Sequence, residues 1–126
     1  MRVYDLQGFI IVENEKQLLE RLQTVRHGFS GAFSLFHDQT IPCLSVHIFQ
    51  HFAYVHYFPE EGHPGYQPTQ MTPADTPATV KFLMDDGMAT IEMPADTICG
   101  AEDAYRAAVE FFQTRTMPSG INWFEL

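Results

Sequence analysis

Residues 43–58, CLSVHIFQHFAYVHYF, predict two β-strands folded back on each other. A reversal at residues 50–51 pairs Phe49 with Phe52 beside the turn and Leu44 with Tyr57 at the far end. Because successive residues of a strand point to opposite sides of a sheet, this register sorts the side chains onto two faces. One face is apolar and is predicted to pack against helices; it carries Leu44, Val46, Ile48, Ala53, Val55 and Tyr57.

The second face of this hairpin combines aromatic and polar side chains. Its members are Ser45, His47, Phe49, Phe52, Tyr54, His56 and Phe58. Aromatic rings supply contact area and the polar groups supply hydrogen bonds, so Tyr54 and His56 are candidate partner-binding residues. Two other interpretations stay open, namely an ordinary outer sheet face or a face covered by another part of the chain.

Before the hairpin, the chain predicts a strand, a helix and a second strand. Residues 8–12 form a β-rich run that could begin as early as Val3. The helix has Asn14 as a plausible N-cap, and Gly28 lies just beyond its end. Its apolar side chains recur at helical spacing and are Leu18, Leu19, Leu22 and Val25. Residues 29–37 predict the next strand, which completes a three-stranded antiparallel meander with the hairpin.

Residues 59–77 contain five prolines and two glycines, which predict a long loop without regular structure. Structureless connections longer than about 12–15 residues are usually either functional or loosely ordered, and both alternatives stay open. Glu60, Glu61, His63 and Tyr66 at the start of this loop are candidate partner-binding residues.

A second hairpin is predicted at residues 79–93, with its turn at Asp85 and Asp86 followed by Gly87. An Asp-Gly pair fits a type I′ turn, and the resulting register sets Lys81 opposite Glu92. We count the acidic residues Asp85, Asp86 and Glu92 among the candidate partner-binding residues.

A second helix is predicted over residues 101–115, and Pro118 ends it. The apolar tail at residues 121–126 is expected to be docked on the domain. Together these elements predict one domain, residues 1–126, of the α+β class. Its antiparallel sheet, a meander plus a hairpin, is packed against two helices that form a single layer on one face.

The overall charge bears on the kind of partner. Seven Lys and Arg against sixteen Asp and Glu give a formal net charge of −9. This charge argues against nucleic-acid binding and suits a basic protein partner, although acidity that serves only solubility is an alternative. No apolar run reaches the length of a membrane span, and the N-terminus lacks the apolar stretch of a signal peptide. A cytoplasmic protein without membrane contact is therefore predicted.

The common catalytic and cofactor motifs are absent from the sequence. His47 and His56 would lie diagonally on one sheet face, but no His-x-x-x-His or Cys-x-x-Cys motif supports a metal site there. Cys43 and Cys99 match no metal spacing and are expected to be reduced. Neither a phosphate-binding loop nor a nucleophile motif is present, so we predict no enzyme, no metal and no cofactor.

The C-terminal quarter resembles a known family. It has an amphipathic helix with paired aromatics, AYRAAVEFFQTR at 104–115, then MPSG at 117–120, then Trp123 and Glu125. This ending resembles bacterial immunity proteins of polymorphic toxin systems, a family that includes the immunity protein to a double-stranded-DNA cytidine deaminase toxin. Two features depart from that family, namely Gly100 where a Ser or Thr cap is expected and the Pro-rich loop.

The resemblance implies a cytoplasmic inhibitor that binds a secreted toxin domain, often a nucleic-acid deaminase, and blocks its active site. Trp123 and Glu125 match the tail of that family, and we interpret them, together with Phe111 and Phe112, as fold-holding residues. The toxin is expected to be basic, because a domain that acts on nucleic acid needs cationic groups for phosphates. Two alternatives stay open: a non-catalytic module that self-associates as a homodimer through the aromatic face, and a small hydrolase that needs a bound metal.

Overall fold

The computed structural model describes residues 1–5, 8–23, 30–84 and 88–126. The helices are α1 (Glu15–Leu22) and α2 (Ala101–Thr114). The strands are β1 (Arg2–Asp5), β2 (Gly8–Ile11), β3 (Ser30–Phe36), β4 (Cys43–Phe49), β5 (Phe52–Phe58), β6 (Tyr66–Pro68), β7 (Thr79–Leu83), β8 (Thr90–Pro94), β9 (Cys99–Gly100) and β10 (Trp123–Glu125). The main sheet has the order β10-β6-β5-β4-β3-β1-β2, with β9 paired to β5. The predicted α+β class is confirmed.

The hairpin of β4 and β5 has the predicted register. Phe49 lies opposite Phe52 and Leu44 lies opposite Tyr57, with every intermediate pair as expected. The six apolar side chains of the predicted inner face are at most 5% exposed and belong to the core that both helices cover. We call this side of the sheet the inner face and the opposite side the outer face.

Helix α1 is capped and anchored as its sequence indicates. The Asn14 side chain accepts a hydrogen bond from the backbone N–H of Gln17 at 2.9 Å, which confirms the predicted N-cap. Leu18 and Leu22 are fully buried against the inner face. Arg21 Nη2 donates to Asp5 Oδ1 at 2.9 Å and so ties the helix to β1. The predicted positions of Val25 and Gly28 lie outside the described residues.

The single first strand predicted at residues 8–12 is wrong in extent. The N-terminal residues form two strands, and β1 pairs with both β2 and β3. Two strands of four residues are too short for a clear alternation signal, so only long-range pairing with β3 distinguishes them. The predicted meander therefore gains two strands beyond β3.

The prediction that residues 59–77 lack regular structure is also wrong in part. Within this segment β6 pairs with β5 on one side and with the C-terminal strand β10 on the other. The expected docking of the C-terminal tail is confirmed, and it occurs as the edge strand of the main sheet. Strands of only three residues form here because two partners, distant in sequence, supply their hydrogen bonds.

The second hairpin has the predicted register but forms a separate layer. Lys81 lies opposite Glu92, as expected, and the turn at residues 85–87 lies outside the described residues. In the described part of the chain β7 and β8 pair only with each other, and they pack on the outer face of the main sheet. Phe82 is fully buried there, beside Tyr54 and Phe52. The helices thus occupy one face, as predicted, while this hairpin covers part of the other.

Helix α2 begins without a Ser or Thr cap. Instead, the Asp103 side chain accepts a hydrogen bond from the backbone N–H of Gly100 at 3.1 Å. This carboxylate also lies in the first turn, where the helix dipole favours negative charge. Phe111 is fully buried in the core, and Phe112 packs against it from a half-buried position. Within the described residues, no helix is long and apolar enough to cross a membrane.

Candidate functional site

Five of the sequence-predicted contact residues lie together where β5 runs into the loop at residues 59–65 and then β6. Glu60 and Glu61 are exposed, and the other three, His56, His63 and Tyr66, are half-buried. The loop closes on itself through a hydrogen bond from the backbone N–H of His63 to the Glu60 carbonyl at 3.2 Å. We call residues 59–65 the acidic loop, since its two charged carboxylates point into solvent.

His56 fastens the acidic loop to the outer face. Its Nε2 lies 2.8 Å from the Pro64 carbonyl oxygen, and its Nδ1 lies 3.1 Å from the Tyr54 hydroxyl. The ring also stacks on Phe58, with centroids 4.2 Å apart and planes inclined by only 7°. A carbonyl can only accept, so Nε2 carries the proton, and Nδ1 is an acceptor that shares the Tyr54 hydroxyl proton with Gln67 Oε1. Burial lowers the pKa of His56, the main effect, and so favours this neutral tautomer.

A pH titration checks this assignment. Because the folded-state pKa of His56 lies below its ordinary value of 6.5, the unfolded chain binds more protons between the two values. The contribution of neutral His56 to the stability of the fold is therefore complete above pH 6.5, and it is lost as the pH falls from 6.5 through the folded-state pKa. NMR should give His56 a titration midpoint below 6.5, and a His56→Gln variant should show a weaker loss of stability over this range. A midpoint above the ordinary value would contradict the neutral, loop-holding role.

Tyr54 does not face solvent as the sequence led us to expect. Its side chain is only 5% exposed, because β7 places Phe82 over this part of the outer face. Burial raises the pKa of Tyr54 to about 12, so the hydroxyl keeps its proton at neutral pH. The hydroxyl also lies 3.2 Å from Gln67 Oε1 on β6. In this structure Tyr54 positions His56 and Gln67, and its predicted contact with a partner stays untested.

Gly65 is a residue of this site that the sequence reasoning missed. Its φ angle is +98°, and a Cβ atom built there would lie 2.2 Å from His56 Nε2 and 2.9 Å from the Tyr57 carbonyl oxygen. The chain can therefore pass this close to β5 only with glycine at the position. A glycine beside a proline at the end of the loop was the available signal, but it was interpreted only as a residue that prevents regular structure.

We expect Gly65→Ala to destabilise the fold by about 2–4 kcal/mol, through the left-handed backbone and the displacement of His56. Gly62 provides a matched control, because its φ is +83° but nothing lies within 4 Å of its Cβ position. Gly62→Ala should cost only the backbone term, about 1–2 kcal/mol. Urea denaturation of both variants measures the difference, and equal losses would show that the approach to His56 is not tight.

A second cluster fastens the acidic loop on the inner side of the sheet edge. Gly65 N donates to His63 Nδ1 at 2.8 Å, so Nε2 carries the proton and donates to Glu125 Oε2 at 2.8 Å. Tyr66 stacks on the His63 ring and donates its hydroxyl proton to the same carboxylate oxygen at 3.1 Å. These hydrogen bonds, first that from His63 and then that from Tyr66, lower the pKa of Glu125. Glu125 thereby joins the loop to the C-terminal strand.

Trp123 anchors the start of that strand. Its Nε1 donates to the Pro118 carbonyl at 2.7 Å, and its ring lies 6.2 Å from that of Tyr57. The indole thus fixes the link after α2 while it covers the core. Both side chains thus contact other elements of the fold, and the fold-holding role predicted for Trp123 and Glu125 stays a prediction.

Of the remaining predicted contact residues, Glu92 is not part of this site. Glu92 lies exposed on β8, where it accepts a hydrogen bond from Thr79 Oγ1 at 2.7 Å. Asp85 and Asp86 lie outside the described residues. The structure therefore places Glu92 on the separate hairpin layer, away from the acidic loop.

The two-histidine arrangement on the outer face is engaged in hydrogen bonding. His47 Nδ1 lies 3.0 Å from the Leu83 carbonyl oxygen, and both nitrogens of His56 are occupied as described above. Among residues 1–5, 8–23, 30–84 and 88–126, no three His, Cys, Asp or Glu side chains are grouped as a metal site would require.

Comparison with protein families gives one informative result. The model of the family described as Immunity protein Imm1 matches residues 16–125. This match extends from helix α1 to the end of the C-terminal strand and includes the acidic loop. Comparison with curated proteins gives no match.

Proposed function

The chain belongs to the Imm1 family of immunity proteins, and from this premise we propose that it neutralises a secreted bacterial toxin domain by covering its active site. Family membership supplies the general class, a protein that acts against a toxin. The proposal adds that the toxin belongs to a polymorphic toxin system, acts on nucleic acid, and is a deaminase. Inhibition by occlusion requires no catalytic group or cofactor in this chain.

The exposed acidic pair of the acidic loop carries the proposal. Glu60 and Glu61 project from a loop that His56 holds on the outer side and His63 holds on the inner side. A loop fixed at both sides loses little conformational freedom on binding. Between residues 50 and 80 the sequence has three acidic residues and no Lys or Arg. A toxin with a cationic nucleic-acid cleft would be attracted to this segment, which would accelerate association.

Co-expression with the toxin encoded by the neighbouring gene tests the proposed function. We expect the protein to restore growth of cells that produce the toxin and to co-purify with it in a 1:1 complex. A neighbouring product that is harmless, or that neither binds nor is neutralised, would contradict the proposal.

Charge reversal tests the role of the acidic loop in binding the toxin. The double variant Glu60→Lys/Glu61→Lys should slow association with the toxin by roughly 10-fold or more and reduce its salt dependence. A double variant in the groove between the two helices that cover the inner face, Glu15→Lys/Glu102→Lys, makes the same change in net charge and is the control. Surface plasmon resonance at two salt concentrations separates them, and equal association rates would show that the acidic loop lies outside the interface.

A self-associating module is the second candidate function. It is favoured by the edge strand β2, where Phe9 and Ile11 are 44% and 60% exposed, because unprotected apolar edges promote pairing between chains. Sedimentation at several protein concentrations distinguishes the two functions. A concentration-dependent dimer without toxin binding would favour self-association.

A further inference from the structure

The outer face of the main sheet carries a continuous row of side chains that crosses its seven-strand path. Strand register aligns Phe9 with Tyr4, Tyr4 with Ser34, and Ser34 with Ser45. Ser45 lies opposite His56 on β5. Because Tyr57 pairs with Tyr66 in an antiparallel ladder, His56 lies opposite Gln67, one position further along. Gln67 in turn lies opposite Phe124 on the C-terminal strand. In strand order the row consists of Phe9, Tyr4, Ser34, Ser45, His56, Gln67 and Phe124.

This row, which we call the open row, faces away from the helices. Val3 and Leu35, the chain neighbours of Tyr4 and Ser34, are fully buried on the inner face. Since side chains alternate along a strand, the open row must lie on the outer face. The hairpin of β7 and β8 covers an adjacent part of that face, with Phe82 over Tyr54, and leaves both ends of the open row exposed.

The composition of the open row is unusual for a solvent-facing sheet surface. Such a surface normally carries polar side chains, yet here aromatic rings occupy both ends. Tyr4, Phe9 and Phe124 are 48%, 44% and 54% exposed, while the polar residues between them are half-buried. The Tyr4 ring lies 4.9 Å from that of Phe9 and 5.6 Å from that of Phe36. Packed, partly exposed rings beside hydrogen-bonding groups are the composition of a protein interface.

The dimensions of the open row suit a specific protein complex. Neighbouring strands lie about 4.8 Å apart, so a row that crosses seven strands is about 29 Å long. A standard interface buries roughly 800 Å² on each partner, which corresponds to a patch of about this width. The acidic loop lies at the border of the row, because Pro64 contacts His56 within it.

We propose that the open row seats the cationic toxin domain and that the acidic loop orients it; this inference rests on the proposed function. Charge selects this occupant over a second copy of the chain. Two copies of formal charge −9 would repel each other, whereas a cationic surface would be attracted to Glu60 and Glu61. Arg2, beside Tyr4 in the next row, adds one positive charge but leaves the acidic border unchanged. Tyr4 and Phe9 precede residues 16–125, which the family model matches, so part of the open row lies outside the matched region.

Truncation of the exposed rings tests the open row. Tyr4→Ala and Phe124→Ala, at opposite ends, should each weaken binding of the purified cognate toxin domain by about 30-fold or more, as hot-spot residues do. Met117→Ala is the control, because Met117 is also an exposed apolar residue, at 38%, but lies beyond the end of α2. Isothermal titration gives the affinities, and thermal unfolding checks that each variant is folded.

Photo-cross-linking provides a test that does not depend on the stability of these variants. Phe9→p-benzoylphenylalanine should form a covalent adduct with the toxin domain, whereas the same residue at Met117 should form none. If the wild-type protein binds but both truncations stay within about 3-fold of it and no adduct forms, the open row is overturned while the proposed function stands. If the wild-type protein does not bind the toxin, both fall. An adduct between two copies of this chain, with toxin present, would show that the open row binds a second copy of the chain and not the toxin domain.

Discussion

Phe111→Ala is expected to lower the free energy of unfolding by about 3–5 kcal/mol, as Phe-to-Ala changes in a core do. Phe111 is fully buried, and its ring packs edge-on against Tyr57 with centroids 6.1 Å apart. It also lies 5.2 Å from the ring of His37, whose Nε2 contacts the Phe111 carbonyl oxygen. The ring therefore joins α2 to the inner face, and the cavity left by its loss would weaken this whole layer.

The neighbouring aromatic provides the control for this prediction. Phe112 is half-buried at the border of the core, so Phe112→Ala should cost roughly 1–2 kcal/mol. Urea denaturation measures both variants. Equal losses would contradict the placement of Phe111 in the core and Phe112 at its margin.

Phe82→Ala is expected to have a comparable effect on the opposite side of the sheet, about 3–5 kcal/mol. Phe82 is fully buried, and its ring lies 6.5 Å from those of both Tyr54 and His47. It is the largest fully buried side chain with which the second hairpin covers the outer face. Its removal would leave a cavity above the buried Tyr54 hydroxyl network.

Lys81 precedes Phe82 on the same strand and points to solvent, so Lys81→Ala should change stability by no more than about 0.5 kcal/mol. Thermal and urea unfolding of the two variants give the comparison. A loss below about 1 kcal/mol for Phe82→Ala would contradict the attachment of the hairpin through this ring.

The central hairpin could be predicted because its information is local. A short reversal after Phe49 fixes the register, and alternation then places Leu44 and Val46 on one face. The pairing of Tyr66 with Glu125 could not be predicted in this way, because it joins segments 59 residues apart and each strand has only three residues. Alternation likewise indicates that Phe82 points inward, but it does not indicate which face of the main sheet the hairpin covers.

In the candidate site, too, some features could be predicted from local sequence and others could not. Glu60 and Glu61 were singled out because they begin a long Pro-rich loop. Both are exposed, and their contact with a partner stays a prediction. Alternation put Tyr54 on the outer face, but a face that the chain itself covers cannot be distinguished from an open one by period alone. Tyr4 and Phe9 were missed because residues 8–12 were interpreted as a single strand, so no register placed them beside Ser34.

Neutralisation of the toxin by this chain, through a cover over the toxin's active site, can be measured in a titration of toxin activity. Purified protein is added stepwise to the cognate toxin domain while conversion of a nucleic-acid substrate is measured. We expect toxin activity to fall linearly to zero at one equivalent, and excess substrate to slow formation of the complex. Full toxin activity in the presence of several equivalents of the folded protein would show that this chain does not cover the active site.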